Sequence, residues 1–277
     1  MNYLAYNKFA GSVTKEKAED IAKKFEDRFP GIQIIDKSVT SLEELNEKLN
    51  ADDNVILLGG DGTVNIFANE WHKVKIRGNW YIYSAGTGND FLTDIGAKDD
   101  IGELNKYMDN LPKVTANGIT KYFVNNVGFG IDGEVCVIAD KKKAKGKKID
   151  YTKITIGLIL AKFRKRDCVV LVDGVEHRFK RTFIAATMNG RYYGGGMKSA
   201  PNQDRASDKV TLVVMNGFSR LLTLIKFTKI FTGEHIKFTK NVHIFEGKKI
   251  EVRFNKPCGL QYDGEVITNV LSYSVTK

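Results

Sequence analysis

The sequence predicts a mixed α/β protein of two domains, a Rossmann-like α/β domain followed by a β-sandwich-type domain. Over residues 1–115, short apolar runs alternate with amphipathic helical segments, a pattern that indicates βαβ units around a parallel sheet. Two of those runs end in glycine-rich loops. From residue 116 to 277, apolar strands separated by turn signals dominate, which favours antiparallel pairing. The last strand is a candidate to return to the first domain.

The elements of the first domain follow from the hydrophobic period. Runs of four or five residues, most of them apolar, predict strands at Tyr3–Tyr6, Ile32–Ile35, Asn54–Leu58 and Trp80–Tyr83. Apolar residues at helical spacing predict helices over Val13–Phe29, Ser41–Leu49 and Asn65–Trp71. The second helix opens on Ser41-Leu-Glu-Glu44, which has the form of a capping box.

In the second domain the strand pattern is nearly continuous. Strands are predicted at Lys121–Gly130, Cys168–Val172, Phe179–Met188, Val210–Met215, Val242–Phe245, Ile250–Phe254 and Ser272–Val275. Asp173-Gly174 and Asp263-Gly264 are typical hairpin turns. Only Thr152–Lys165 and Arg220–Phe231 carry a helical pattern.

Composition narrows the class of protein. The 277 residues are 42% hydrophobic and 27% charged, as in a folded globular chain. Forty-three Lys and Arg against 33 Asp and Glu give a net charge of +10, which suits anionic partners such as nucleotides or membrane surfaces. The three cysteines and four histidines lack metal-site or disulfide spacing. No signal peptide or apolar run of about 20 residues occurs, so we predict a cytoplasmic protein.

The strongest local signal is the loop Gly59–Asn65, directly after a predicted strand. Three glycines in four positions allow the backbone to approach a ligand closely, and a following helix adds its N-terminal dipole. Asp61 would repel a phosphate unless a cation or a water lay between them. The alternative is a tight strand–helix turn without a ligand.

A second loop, Gly86-Thr-Gly-Asn-Asp90, follows the next predicted strand. Loops at the carboxyl ends of parallel strands line the same crevice, so the two loops are expected to face one ligand. Further glycine clusters at 125–133 and 189–197 are as consistent with β-bulges or hairpin turns as with ligand-binding loops. On physical grounds alone, Asp263-Gly264-Glu265 is best explained as a turn with a solvated Glu.

Six motifs occur in order along nearly the whole chain. They are GGDGTVN at 59–65, GTGNDF at 86–91, NNVGFGID at 125–132, MNG and GGGM within 188–197, APNQDRASD at 200–208 and YDGE at 262–265. Together they resemble the catalytic-domain family of diacylglycerol kinases, bacterial lipid kinases related to sphingosine and ceramide kinases. The resemblance implies an NAD kinase/diacylglycerol kinase-like fold and ATP-dependent phosphorylation of a lipid alcohol such as diacylglycerol, giving phosphatidic acid.

The resemblance also implies roles for individual residues, with ATP and Mg²⁺ as cofactors. Nucleotide contacts would fall on Thr40, Gly59, Gly60, Asp61, Gly62, Thr63, Val64, Asn65 and Thr87, with Ser38 competing for the place of Thr40. Asp61 would also act in catalysis by placing the nucleotide and Mg²⁺, and Glu265 would be the general base. Asp208, with backbone oxygens of Arg205 and Val210, would bind Mg²⁺. Asp90 and Asp132 would belong to the active-site network.

Some features depart from the family or leave alternatives. Lys209 follows Asp208 where the family has glycine, which places the backbone geometry of that metal site in question. An NAD kinase-like small-molecule kinase and a nucleotide-binding regulator without catalysis are the competing functions. A nucleic-acid-binding protein is disfavoured, because the charge is interleaved with acidic residues and no binding motif occurs. The sequence is compatible with a homodimer and does not determine the oligomeric state.

Two kinds of surface segment suggest a lipid environment. Lys141–Lys148 holds six lysines in eight residues, either as a solvated loop or as a contact with anionic lipid. Ile154–Ala161 and Leu221–Phe227 are unusually apolar, either as core or as the lid of a lipid cleft. We therefore predict a peripheral, salt-sensitive membrane association.

Overall fold

The structure, a computed structural model, describes residues 1–7, 13–86 and 88–277, apart from the side chains of 161 and 162. It divides into two compact units, Met1–Leu111 and Pro112–Lys277. The first is an α/β unit and the second is rich in β-strands, so the predicted fold class is confirmed.

The first unit is built on a five-stranded sheet of order β2-β1-β3-β4-β5, in which β5 alone runs antiparallel to its neighbour. Its strands are β1 Asn2–Tyr6, β2 Gln33–Asp36, β3 Asn54–Gly59, β4 Asn79–Ser84 and β5 Ile101–Glu103. Its helices are α1 Lys15–Lys24, α2 Leu42–Glu47, α3 Asp61–Trp71, α4 Asp90–Asp94 and α5 Asn105–Met108. Apolar residues of α1 pack on β1 and β3 in one core cluster.

The helix starts follow local chemistry. The predicted capping box of α2 is confirmed: the Glu44 N–H donates to Ser41 Oγ at 3.1 Å, and the Ser41 N–H donates to the Glu44 carboxylate at 2.9 Å. Helix α3 begins at Asp61, four residues before the predicted start, with Gly60 as its N-cap. Residues 61–65 are therefore the first turn of a helix, so the prediction that they form a loop was wrong.

The second unit contains a nine-stranded sheet in which β12-β11-β10-β8-β13-β14-β6-β7 form a continuous path and β9 pairs with β10 and β13. The strands are β6 Lys113–Ala116, β7 Ile119–Tyr122, β8 Asn126–Gly130, β9 Arg166–Val172, β10 Val175–Met188, β11 Val210–Asn216, β12 Val242–Gly247, β13 Lys249–Tyr262 and β14 Glu265–Thr276. The last strand pairs with β13 and β6. It stays in the second unit's sheet and does not return to the first sheet.

Helices of the second unit differ most from the prediction. Helix α6 at Ile131–Lys143 was not predicted, because Gly133 suggested a turn. A Cβ on Gly133 would lie 1.9 Å from the Gly259 carbonyl oxygen, so this glycine permits helix α6 to touch β13. The other helices are shorter than predicted: α7 Tyr151–Gly157, continued by a π-helical segment Leu158–Lys162, and α8 Arg220–Phe227.

The predicted strand Lys121–Gly130 is two strands, β7 and β8, with an irregular segment at 123–125. Asp263 explains the interruption, since its carboxylate accepts hydrogen bonds from the N–H groups of Val124, Asn125 and Asn126. Those N–H groups are satisfied by a side chain instead of a neighbouring strand. The sequence pattern of apolar residues does not reveal such a substitution.

Candidate active site

The two glycine loops of the first unit are in direct contact. The Asp61 N–H donates to the Gly88 carbonyl at 2.9 Å, and the Ala85 N–H donates to the Gly59 carbonyl at 2.9 Å. A Cβ on Gly60 would lie 2.4 Å from the Gly88 oxygen, so only glycine allows this approach. The expectation that the loops share one edge of the sheet is therefore confirmed by the geometry.

The Asp61 carboxylate hydrogen-bonds to the backbone at the end of the second loop. Its two oxygens accept hydrogen bonds from the backbone N–H groups of Asp90 and Phe91, both at 2.9 Å. Those N–H groups begin helix α4, where a negative charge is favourable. The negative charge of Asp61 among the glycines is therefore compensated by the α4 N-terminus. Asp90 itself is buried.

Gly62 is the open position of the pair of loops. It is exposed in the first turn of α3, and a Cβ built on it would meet no atom within 4 Å. Its N–H has no hydrogen-bond partner in the described part of the chain. A helix N-terminus with a free N–H and no side chain in front of it is a favourable place for an anion.

The other predicted nucleotide residues of the first unit differ in burial and in local structure. Thr63 is half-buried, whereas Val64 and Asn65 are buried, so Val64 is a core residue that offers a ligand only its backbone. Thr40 immediately precedes the N-cap of α2. Ser38 has a buried hydroxyl with no hydrogen-bond partner among the described atoms. Thr87 lies outside the described residues, as does the segment 8–12 after β1.

In the second unit, Asp132 is the carboxylate whose chemistry is most altered. It lies in the first turn of α6, and the Tyr193 hydroxyl donates to its Oδ2 at 2.8 Å. A Cβ on Gly128 would come within 2.5 Å of the same oxygen and 2.6 Å of Gln261 Nε2, so glycine makes room for both side chains. Burial raises the pKa of Asp132 to about 7, and the Tyr193 hydrogen bond acts in the opposite direction.

Glu265 and Asp263 occupy different positions in one hairpin. Glu265 is the exposed first residue of β14, opposite Tyr262. Asp263 adopts a left-handed conformation with φ of 46°, and its carboxylate holds the three N–H groups at 124–126. Asp263 therefore has a structural function, while the Glu265 side chain is available to a ligand.

Arg205 acts through its side chain as well as its backbone. The buried guanidinium donates to the Val124 carbonyl at 2.6 Å and to Asn125 Oδ1. Its carbonyl oxygen, predicted as a Mg²⁺ ligand, accepts from Lys277 Nζ at 3.0 Å. The same ammonium donates to Asn189 Oδ1 at 2.7 Å. Burial lowers the pKa of Lys277 to about 8, and the nearby Arg205 charge acts in the same direction.

The residues predicted to bind Mg²⁺ do not fit such a site as they are arranged. The Asp208 side chain is 65% exposed and paired with Lys248 Nζ at 2.5 Å. The Lys248 hydrogen bond holds the pKa of Asp208 below its usual value. Val210 is the buried first residue of β11. Within the described ranges, no three His, Cys, Asp or Glu side chains lie close enough together to hold a metal ion.

The sequence interpretation missed the contacts that organise these sites. The Tyr193 hydrogen bond to Asp132 joins residues 61 positions apart, and Gln261 lies beside Gly128 from a strand that comes about 130 residues later. Lys277 was not singled out at all. One signal was present: Lys209 in place of glycine after Asp208 placed the backbone geometry of that site, though not its carboxylate, in question.

Comparisons with known proteins agree with this architecture. Residues 2–119 match the family model described as diacylglycerol kinase catalytic domain, and residues 125–274 match the YegS C-terminal NAD kinase beta sandwich-like domain. The chain is 27% identical over 214 residues to a "Diacylglycerol kinase" of Mycobacterium tuberculosis, covering 69% of this chain and 66% of the other, just under two thirds of that relative's length. It is 24% identical to "Putative lipid kinase YtlR" of Bacillus subtilis, covering 91% and 85%.

A crystal structure of "a putative diacylglycerol kinase" from Bacillus anthracis superposes with a TM-score of 0.68. The sequences are 21% identical, and the match covers 99% of this chain and 93% of the other, which shows a shared fold. The two family models together span both units, and the second alone matches more than half of the chain. With its paired glycine loops and its β-rich second unit, the chain belongs to the diacylglycerol kinase catalytic-domain family.

Proposed function

We propose that this protein is an ATP-dependent lipid kinase that transfers the γ-phosphoryl group to the hydroxyl of a lipid alcohol at a membrane surface. Diacylglycerol is the first candidate substrate, with phosphatidic acid as product. Family membership supports the kinase class. The observation that carries the nucleotide part of the proposal is the open N-terminus of α3 at Gly62, in the first of two glycine loops that contact each other at Asp61 and Gly88.

We assign the nucleotide phosphates to this open position. The Gly62 N–H and the α3 dipole favour an anion, and the missing side chain lets phosphate oxygens reach the backbone. Asp61 does not repel the phosphates strongly, because both carboxylate oxygens are engaged by α4. In this proposal Asp61 acts by anchoring the start of α4, directly after the second loop. The nucleotide contact of Thr87 stays a prediction.

Ser38 is our preferred contact from the β2–α2 segment, over the Thr40 of the sequence prediction. A buried hydroxyl without a partner is unfavourable by about 1–3 kcal/mol, and a ligand that hydrogen-bonds to it removes that cost. Thr40, by comparison, is placed one residue before the capped start of α2. A Ser38→Ala variant is therefore expected to weaken ATP binding more than Thr40→Val.

We assign the general base to Glu265. The lipid hydroxyl oxygen attacks the γ-phosphorus, the bond to the bridging oxygen of ADP breaks, and the hydroxyl proton passes to the Glu265 carboxylate. Its exposure at the start of β14 suits a bulky acceptor. Mg²⁺, arriving with ATP, would supply charge neutralisation. The described residues offer no acidic cluster of their own for it.

The test is transfer of radiolabelled phosphate from ATP to a panel of diacylglycerol, monoacylglycerol, phosphatidylglycerol, sphingosine and undecaprenol. We expect one of these to be labelled, and Glu265→Gln to lower the single-turnover rate by roughly 10²-fold or more while ATP affinity stays within a few-fold. Glu176→Gln, at an exposed position near the start of β10, is the matched control. Normal turnover by Glu265→Gln would remove this residue from the base role, and no labelled lipid would refute the function.

A further inference from the structure

Two helical segments of the second unit present apolar side chains to solvent. Seven of the 13 exposed large hydrophobic residues in the described part of the chain lie in residues 151–160 and 221–231. They are Tyr151, Ile156, Leu160, Leu221, Leu222, Ile225 and Phe231. Leu221 and Ile225 of helix α8 are 67% and 60% exposed. This exposure is unusual, because the solvent-facing side of a surface helix is ordinarily polar. We call these seven residues the apolar face.

The residues of the apolar face are not part of the hydrophobic core of the second unit. Ile154, Leu158 and Ile159 of the first segment, and Leu224 and Phe227 of α8, already pack into one core cluster of the second unit. The segments also touch each other, since Arg220 of α8 donates to the Leu160 carbonyl at 2.6 Å. The outward residues are therefore additional to those needed for folding. They belong to two adjoining segments whose inner faces are already filled.

The charge around the apolar face is predominantly positive, although the acidic residues Asp140 and Asp150 adjoin it. Residues 141–166 contain 11 Lys and Arg and one acidic residue, Asp150, a net charge of +10 that equals the net charge of the whole chain. No acidic residue occurs between Asp208 and Glu234, the stretch that contains α8. A partner that covers this surface must accept both apolar side chains and a dense positive charge.

We propose that the apolar face, with the lysines of 141–148, is a docking surface for an anionic membrane. Apolar side chains on a helix lying in the interface enter the acyl boundary, while adjacent Lys and Arg contact the headgroups. No helix within the described ranges is long and apolar enough to cross a membrane. The proposal extends the proposed function by placing the enzyme where its lipid acceptor resides.

A lipid surface accounts for these observations better than a second copy of the chain. Two copies meeting through the apolar face would bring two surfaces of net positive charge together, which is unfavourable without intervening anions. An anionic bilayer supplies the apolar phase and the counter-charge together. A dimer through this face is retained as an outcome that contradicts the proposal.

The experiment is sedimentation of the full chain with vesicles of 70% phosphatidylcholine and 30% phosphatidylglycerol, and with pure phosphatidylcholine. We expect binding to the anionic vesicles that weakens as NaCl rises from 0.05 to 0.5 M, because salt screens such contacts. Leu221→Gln with Ile225→Gln is expected to lower the partition coefficient at least tenfold. Lys143→Gln, Lys145→Gln and Lys147→Gln are expected to lower it roughly fivefold each, the effect of about 1 kcal/mol.

Matched controls separate the surface from general hydrophobicity and charge. Val175→Gln with Ile244→Gln changes two exposed apolar residues on strands, and Lys15→Gln with Lys17→Gln and Lys23→Gln changes three exposed lysines of α1. Both controls should bind vesicles normally, and circular dichroism should show all variants folded. Unchanged vesicle binding by the Leu221/Ile225 variant, or its conversion of a dimer to a monomer without loss of vesicle binding, would overturn the proposal.

The failure of docking and the failure of the proposed function have different signatures. Vesicle binding needs no turnover, so it is informative even if no lipid is phosphorylated. Conversely, transfer to a short-chain diacylglycerol dissolved below its micelle concentration does not require a bilayer. Kinase activity on that substrate without any vesicle binding would refute the docking surface and leave the proposed function standing.

Discussion

Replacing Gly62 by alanine should raise the stability of the protein and lower its affinity for ATP. A Cβ at this position meets no atom within 4 Å, and the residue lies in the first turn of α3 without a left-handed backbone. Alanine is a better helix former than glycine and reduces the freedom of the unfolded chain. We expect Gly62→Ala to raise the free energy of unfolding by about 0.5–1 kcal/mol and the melting temperature by about 1–4 °C.

The same methyl group should obstruct the nucleotide. In the proposed function, phosphate oxygens approach the Gly62 backbone directly, so a Cβ would force them outward from the α3 N-terminus. We expect at least a tenfold loss of ATP affinity, about 1.4 kcal/mol, measured by calorimetric titration without lipid. A variant that is more stable yet binds ATP poorly is the signature of a glycine kept for a ligand.

Two other glycines make the comparison decisive. Gly157, at the end of α7, also has no atom within 4 Å of a Cβ, so Gly157→Ala should stabilise the protein without changing ATP affinity. Gly60→Ala should destabilise it, because its Cβ would lie 2.4 Å from the Gly88 oxygen. If Gly62→Ala binds ATP within twofold of the unaltered protein, the assignment of phosphates to the α3 N-terminus is refuted.

Three further predictions concern carboxylates of the two units. Asp61→Asn should lower the free energy of unfolding by about 1–3 kcal/mol, because the new amide NH₂ faces a backbone N–H of α4 and cannot accept its hydrogen bond. Urea titration measures this change, and equal stability of the two proteins would contradict the anchoring role of Asp61. Asp132 has a pKa of about 7 in the folded protein against about 3.9 unfolded, so the native state holds the extra proton and stability falls as pH rises from about 4 to 7. Asp132→Asn should flatten that fall, and identical pH profiles would contradict it. Without nucleotide, the melting temperature should be the same in Mg²⁺ and in EDTA, since lysines already contact the Asp208 carboxylate and the Arg205 carbonyl oxygen. A higher melting temperature in Mg²⁺ would support the predicted metal site.

The sequence was sufficient for features determined by local pattern. The capping box at Ser41 and Glu44 depends on residues three apart, and both hydrogen bonds are present. The contact between the two glycine loops followed from strand order in a parallel sheet, a rule of topology that needs no side-chain detail. The turn role of Asp263 was likewise predicted from Asp-Gly, although its three backbone partners were not.

The remainder depended on contacts distant in sequence. Gly133 suggested a turn, yet it lies inside α6 because β13 approaches it 126 residues later. A glycine that permits packing and a glycine that permits a turn are indistinguishable until the neighbour is known. For the same reason, the pKa of Asp132 was not accessible from sequence, since it arises from burial and Tyr193.

In the acidic stretch at 200–208, the oxygens predicted to bind Mg²⁺ contact lysines of the same chain. Its carboxylate and carbonyl oxygens still face positive charge, but that charge is provided by Lys248 and Lys277. An ammonium group on the chain donates hydrogen bonds to the same kinds of oxygen that a divalent cation would bind. It is permanently attached, so chelators cannot remove it. A relative with glycine instead of Lys209 need not share this arrangement, and the motif alone is therefore insufficient to assign a metal.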